Sequence, residues 1–540
     1  MSSGHLFLAR ANIKTLACHA WLVPGDERGP GEDWSDVLDG GPPASVEAEG
    51  RRVVRVRAAG GDERAAWLVH MSGESAGRGR EIGWYLDGVR QFVERAVAEI
   101  PDARARWPHQ VRSRARPLLA LPLVGTGGGG ARSRSGSLAK ELVALLADLA
   151  ASTGVDIALC LWTEASYAAA QDARKQLERS VGSARFWGAL PDELVAHVRA
   201  LAERGIVEAG RRLVLFLGAG VSQNAGLPSW RGLLEELARR ALGPDATRVR
   251  TLDPLLAAEA IRVLAGWSDG RLKQEVAQIL EENGVYPSLA HALLASLPVE
   301  ESVTTNYDQL FDAALKVSDP GRRILPYESV DYRHRWLLKL HGSTFRPGDP
   351  VALQERDDFD DIVLTRKDYA RYDLRWRALA SIVETLLITR HMLFVGFSLD
   401  DPNFLRMVDT VRRAVEEGRG AREPLPGASI GTILSVSQQP LLQQLWEGEF
   451  DVVPMGADEA PIAEQARGLE IFLDRLGQAC CTEPAYLLDP AYGGLLTESE
   501  RRLRDRLEEL AEVLGQDPAL REAPAWRRVA ELFEQLGRKL

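Results

Sequence analysis

Short apolar runs alternate with stretches of helical period along most of this chain. Leu118–Val124 is an apolar run of strand length, and a glycine-rich loop follows it. Leu138, Leu142, Leu145, Leu146 and Leu149 then recur at helical spacing, and Val155–Trp162 reads as the next strand. Strand, loop, helix and strand in that order predict a parallel α/β sheet. The alternation starts again at Leu213–Leu217, which leads through a second glycine-rich turn to a helix marked by Leu233, Leu234 and Leu237. Leu337–Leu340 and Met392–Val395 are further strand candidates, with Leu379, Ile382, Val383 and Leu386 at helical spacing between them. This second region predicts a doubly wound parallel α/β sheet. Leu190, Leu194, Val198 and Leu201 mark a packed helix joining the two regions. Past Cys481, Thr497 and Glu500 make a capping box. Two apolar stripes follow, Leu503, Leu507, Leu510 and Leu514, then Trp526, Val529, Leu532, Phe533 and Leu536. They predict a short α-helical tail packed on its own domain or on a sister subunit. The expected boundaries are 1–178, 179–210, 211–480 and 481–540.

Length agrees with that division, because 540 residues exceed what one hydrophobic core organises. The formal net charge of −11 argues against nucleic acid and anionic membrane as partners. No apolar run is long enough to span a bilayer. The opening Met1-Ser2-Ser3-Gly4 lacks the basic-then-apolar pattern of a signal peptide. Cys18, Cys160, Cys480 and Cys481 form no C-x-x-C pair, so neither a disulfide framework nor a zinc ribbon is expected, and a reducing cytoplasm is. Arg104, Arg106, Arg112, Arg114 and Arg116 cluster around Trp107 and His109, and against the acidic total they read as a solvated face or an interdomain contact. Gly/Pro-rich stretches at 40–43 and 424–427 read as surface loops.

The candidate chemistry gathers behind the strands of the second region. Gly218-Ala219-Gly220-Val221-Ser222 leaves Leu213–Leu217 and leads towards Gly226-Leu227-Pro228. Glycines let a backbone approach a diphosphate, and the following helix start favours its charge; glycines after a strand also serve a plain turn. Thr304-Thr305-Asn306-Tyr307-Asp308, His341-Gly342-Ser343 and Gly396-Phe397-Ser398-Leu399 each follow a predicted strand, at the carboxyl edge where open α/β sheets build their sites. Asn306 and Asp308 also suit turn or capping positions, and His341 suits a buried, hydrogen-bonded histidine.

In this order the four motifs, spread over roughly Arg211 to Gln478, resemble the sirtuin superfamily and its Rossmann-like fold. The resemblance implies cleavage of NAD+ between nicotinamide and ribose. Gly218, Ala219, Gly220 and Ser222 would hold the diphosphate, with Pro228 and Thr305 also lining the cofactor site. Asn306 would orient the nicotinamide ribose and a water, Asp308 would read the carboxamide, and His341 would act as general base. Gly396 and Ser398 would line the adenosine ribose. Three features depart from the protein deacylases: there is no four-cysteine zinc ribbon, Thr305 stands at the usual glutamine, and Pro228-Ser229-Trp230-Arg231 replaces the acidic-aromatic-arginine continuation. The run Gly396 to Phe404, with Val363-Leu364-Thr365-Arg366-Lys367-Asp368-Tyr369, resembles sirtuin-like effectors of bacterial anti-phage systems of the Thoeris type, which deplete NAD+ and arrest the infected cell.

The first region resembles macro domains more loosely. Pro122-Leu123-Val124 followed by Gly125, Thr126, Gly127, Gly128, Gly129 and Gly130 is similar to their phosphate loop, Leu16–Pro24 to their early strand, and Ala168-Ala169-Ala170-Gln171 to a segment after a later strand. Asn12 stands at the adenine-reading aspartate, and Pro24-Gly25-Asp26 at the asparagine segment of macro hydrolases. The resemblance implies a binding site for an ADP-ribose-like signalling nucleotide, with Arg132 and Arg134 at hand for phosphates; a surface loop with solvated arginines is the alternative. The expectation is a cytoplasmic homo-oligomeric NAD+ hydrolase that takes NAD+ as substrate, needs no metal and is gated by a nucleotide. Two other classes stay open: a non-catalytic nucleotide-binding sensor or scaffold, and a protein ADP-ribosyltransferase or deacylase.

Overall fold

The computed structural model describes residues 3–26, 29–38, 52–71, 81–205, 212–331, 334–347, 359–372, 376–419, 429–456 and 459–540. The loops expected at 40–43 and 424–427 lie outside them, as does Arg211. The chain divides into two compact units, one of Met1–Pro191 with Leu473–Leu540, the other of Asp192–Phe472.

The first unit is built on β1 (Leu6–Arg10), β2 (Ala20–Asp26), β3 (Gly29–Pro30), β4 (Val53–Val56), β5 (Ala65–His70), β6 (Leu118–Pro122) and β7 (Asp156–Leu161). The sheet runs β1-β7-β6-β2-β5-β4, with β3 paired to β2. All neighbours from β1 to β5 are parallel, while β4 and β3 are antiparallel to their partners. β7 is buried along its whole length, as a strand covered on both faces requires. The glycine-rich loop leads from β6 towards the helix Ser135–Thr153, as its leucine spacing predicts.

The tail expected as an extension at 481–540 is grouped with this first unit, and so is the end of the helix Ile462–Cys480. Asp474 on that helix is fully buried; it accepts Arg174 Nη1 and Nη2 at 2.7 and 2.9 Å, and His5 Nε2 lies 2.8 Å away. Burial pushes this carboxyl up, but the Arg174 charge and the hydrogen bonds outweigh it and hold it below the usual carboxylate range. The Thr497–Glu500 capping box starts the helix Glu498–Gln516. Its apolar stripe is only partly covered, because Leu503 and Leu510 are exposed, as is Leu532 on the helix Trp526–Gln535. Of the arginine cluster, Arg114 is buried and pairs with the buried Asp156 at 3.2 Å, so it is a core ion pair and not a solvated face.

The second unit carries β8 (Leu213–Leu217), β9 (Glu301–Thr304), β10 (Arg323–Leu325), β11 (Trp336–Lys339), β12 (His391–Val395), β13 (Gly431–Ser435) and β14 (Phe450–Pro454). They form one sheet in the order β10-β11-β9-β8-β12-β13-β14, parallel throughout. This is the Rossmann-like doubly wound arrangement. The chain first builds the β9 side of β8, then crosses back to β12, so the topological switch lies at β8. A core of Phe216, Phe394, Phe404, Met392 and Val383 packs beneath the strand ends. Between β8 and β9 the helices Trp230–Leu242, Pro254–Leu264 and Asp269–Asn283 form a second core around Leu237, Ile261 and Val276. Ser229, Asp253 and Ser268 cap their first turns with side-chain oxygens, the usual way to satisfy free helix-start N–H groups.

Candidate active site

Four neighbouring strands of the second sheet, β11, β9, β8 and β12, deliver the four motifs at their carboxyl ends. The loops behind β8 and β12 interlock. Gly218 N–H donates to Val395 O at 3.0 Å and Gly220 N–H to Gly396 O at 2.9 Å. A Cβ on Gly218 would lie 2.5 Å from Gly396 O, and one on Gly396, whose φ is +66°, would lie 2.4 Å from Val221 N. Glycine is therefore required here for backbone-on-backbone contact. The N–H groups of Gly218, Gly220, Val221 and Ser222 all donate to backbone carbonyls, with Val221 reaching Gly218 O and Ser222 reaching Ala219 O.

Ser222 is buried, and its hydroxyl faces inward. It donates to Asp308 Oδ2 at 2.9 Å, receives Asn306 Nδ2 at 3.2 Å and meets His291 Nε2 at 3.3 Å. Asn306 Nδ2 also donates to Gly218 O at 3.1 Å, and Asn306 N–H to Thr304 Oγ1 at 3.0 Å. Both protons of the amide are thus engaged within the protein. Its Oδ1 is buried with no hydrogen-bond partner. Asp308 is also inward: its other oxygen accepts Leu310 N–H at 3.0 Å, and its carbonyl accepts the buried Lys339 Nζ at 2.6 Å. Lys339 Nζ further pairs with Asp312 at 3.0 Å, tying β11 to the helix Leu310–Ser318.

His341 follows β11 and is buried. The rings of Tyr369 and Tyr372 meet it edge-on at 5.7 and 6.0 Å. Its Nε2 has no hydrogen-bond partner and lies 3.5 Å from Asp401 Oδ2. Asp401 Oδ2 accepts Tyr369 OH at 2.8 Å, while its Oδ1 accepts Phe404 N–H at 2.9 Å at the start of the helix Pro402–Arg419. Burial pushes the His341 imidazole below its ordinary pKa, against the opposing pull of Asp401. The β9 and β11 loops are joined by Gln309 Nε2 donating to Ser343 Oγ at 2.7 Å and Thr344 N–H to Tyr307 O at 3.0 Å.

Of the other expected residues, Thr305 is half-buried with its N–H on Leu217 O at 3.1 Å. Pro228 sits just before the cap Ser229, and Ser398 is exposed. Three residues of this arrangement had no role assigned from sequence. Asp401 and Tyr369 lie inside runs that carried the resemblance, so a signal for them existed. His291 sits in an otherwise apolar helix, Leu289–Ala295, without a motif around it.

The arrangement can be set beside known proteins. Residues 300–430 match the family model of the SIR2-like domain. That segment spans β9 to β12 and holds Asn306, Asp308, His341 and Gly396. The chain is 32% identical to NAD(+) hydrolase ThsA of Enterococcus faecium over 38% of its own length and 41% of that protein's. It is 30% identical to NAD(+) hydrolase ThsA of Bacillus cereus (strain MSX-D12) over 37% and 40%. It is 28% identical to Defense-associated sirtuin 2 of Bacillus subtilis over 38% of this chain and 20% of that one. The chain therefore matches about two fifths of the ThsA relatives. Among the described residues, no helix is long and apolar enough to cross a membrane, and no group of three or more His, Cys, Asp and Glu side chains is placed to hold a metal ion.

Proposed function

We propose that the second unit hydrolyses NAD+ to nicotinamide and ADP-ribose in anti-phage defence, gated by a nucleotide bound to the first unit. The observation that carries the catalytic part is the pair Asn306 Oδ1 and His341 Nε2. Both are buried polar atoms that make no hydrogen bond within the protein, at the ends of strands in the SIR2-like segment, and Asp401 lies 3.5 Å from the second. Buried polar atoms left without a hydrogen bond are costly unless a ligand or water satisfies them. The names of the similar proteins supply the substrate.

The chemistry follows from these groups. The nicotinamide–ribose bond breaks with its electron pair leaving on nicotinamide, and positive charge develops on the ribose. Asn306 Oδ1 accepts a hydrogen bond from a ribose hydroxyl or the attacking water. Water forms the new bond to the anomeric carbon and gives its proton to neutral His341 Nε2. Burial keeps that imidazole unprotonated near neutral pH, and the carboxylate of Asp401 stabilises the imidazolium that forms. Asp308 reads the carboxamide only if its carboxylate turns from Ser222; with its present partners it is a positioning group.

Nicotinamide release by the purified protein, without acyl-peptide, tests the reading. Asn306→Ala and His341→Ala should each lower it about 10²–10⁴-fold with unchanged melting. Release that strictly requires an acyl-lysine peptide overturns hydrolysis in favour of deacylation.

For gating, support comes from the loop Gly125–Gly130 between β6 and its helix. Tyr85 OH holds Gly129 O at 2.5 Å, while a Cβ on Gly127 or Gly128 would have nothing within 4 Å. Gly127→Val and Gly128→Val should therefore leave the fold intact and abolish stimulation by ADP-ribose derivatives. Stimulation that survives both changes overturns the sensor role.

A further inference from the structure

We infer that His291 is a positioning residue that locks the catalytic amide of Asn306 through Ser222. The inference rests on the proposed NAD+ cleavage, in which Asn306 Oδ1 faces the reacting groups.

Hydrogen-bond direction carries the argument. Ser288 N–H donates to His291 Nδ1 at 3.1 Å, and Ser288 Oγ lies 2.8 Å from the same nitrogen. A backbone N–H can only donate, so Nδ1 carries no proton. The neutral ring must then carry its proton on Nε2, which makes Nε2 the donor to Ser222 Oγ at 3.3 Å. Ser222 has one hydroxyl proton, and Asp308 Oδ2 takes it at 2.9 Å. Its remaining acceptor capacity is met by His291 on one side and Asn306 Nδ2 on the other, at 3.2 Å. Asn306 Nδ2 finds its second acceptor in Gly218 O at 3.1 Å, which accepts and cannot donate. The amide is therefore held nitrogen-inward, and Oδ1 is left facing away from these partners.

His291 itself is buried in the helix Leu289–Ala295. Burial pushes its pKa down to about 3, with the charges of Asp312 and Lys339 acting in opposite senses. Near neutral pH it is therefore a neutral ring that donates from Nε2. It can orient Ser222 but cannot shuttle protons near neutral pH.

The test uses the full-length protein and two near-isosteres. Asparagine at 291 keeps an acceptor near Nδ1 for Ser288 N–H but lacks the donor at Nε2. Glutamine places an amide N–H near Nε2. His291→Asn should lower kcat for nicotinamide release about three- to tenfold, the worth of one hydrogen bond. Its KM for NAD+, melting temperature and pH profile should stay close to the parent's, while His291→Gln regains most of kcat. Parental kcat in His291→Asn, or a shifted pH profile, overturns the inference. A crystal structure of His291→Asn gives a second reading that is independent of turnover. Loss or loosening of the Asn306–Ser222 bond supports the lock, and both Asn306 bonds retained in the parental geometry overturn it. A parent that releases no nicotinamide counts against NAD+ cleavage alone and leaves the structural reading to decide the lock.

Discussion

Lowering the pH from about 7.5 to 5 should weaken the first unit through the buried imidazole of His19 and the second through that of His291, with the buried His341 acting in the same direction. In the first unit, His19 Nδ1 accepts Leu118 N–H at 2.9 Å, and Trp107 packs edge-on against its ring at 4.4 Å. In the second unit, His291 Nδ1 accepts Ser288 N–H at 3.1 Å. Both are pushed down to about 3, by burial first and, for His19, by the nearby Arg114 charge as well. An unfolded histidine titrates near 6.5. The folded imidazole thus stays neutral while the unfolded one takes up a proton. Its contribution to stability is fully present above about 6.5 and is lost as pH falls towards about 3. At pH 5 the loss is about 2 kcal/mol for each imidazole, taking about 1.4 kcal/mol per pH unit below the unfolded value. That magnitude requires only that the folded pKa lie well under 5, as burial dictates. Calorimetric unfolding of the parent and of His19→Asn, each at about pH 7.5 and 5, isolates one imidazole from the carboxylates that titrate alongside it. Asparagine keeps an acceptor for Leu118 N–H, so the variant's first unit should lose about 2 kcal/mol less than the parent's between the two pH values. Equal losses in parent and variant would refute the claim that His19 is held neutral.

Three further outcomes follow from the site and the core. Asp401→Asn removes the charge that pulls against burial at His341, so the acid limb of nicotinamide release should move to lower pH; a limb that stays in place in the pH–rate profile removes Asp401 from the mechanism. Gly396→Ala forces a Cβ into left-handed backbone and against Val221 N, and should cost about 1–2 kcal/mol for the backbone alone plus a comparable packing term, read as lowered melting together with lost turnover. Arg174→Met strands the buried Asp474 carboxylate and should destabilise the first unit by about 3–5 kcal/mol, which urea unfolding would register.

Three strands of the second sheet, β8, β11 and β12, were legible in advance because they are apolar runs buried along nearly their whole length, whereas β10 and β14 alternate with exposed or half-buried positions and gave no such run. Leu213–Leu217 is β8 to the residue, and Met392–Val395 misses β12 only by His391. His391 escapes a hydropathy reading because its polar ring is buried by pairing, with Nε2 on Thr432 Oγ1 at 2.9 Å. The positions of Asn306, His341 and Gly396 at strand ends were legible too, because an open sheet puts its loops there. The partners of those residues were less so. Ser222 reads as a phosphate ligand in a Gly-x-Gly-x-Ser string, yet its hydroxyl turns inward to Asp308. Nothing local to Ser222 reveals that, because Asp308 and His291 reach it from distant parts of the chain. The tail helices show the converse: their stripes were plain, but periodicity says only that a face is apolar, not what covers it.

The division of the chain has one more consequence. The first unit is not contiguous: the chain leaves it after Pro191 and re-enters at Leu473, where Asp474 is at once clasped by Arg174 and His5. In folding terms the Rossmann-like unit is an insertion inside its neighbour. An N-terminal fragment ending near Pro191 would hold every strand of the first unit's sheet but would carry Arg174 without its carboxylate. The inserted unit draws all its strands from 213–454, so it needs nothing past Leu473 to complete its own sheet. During synthesis it can therefore fold before the residues past Leu473 that complete the unit enclosing it in sequence have been made.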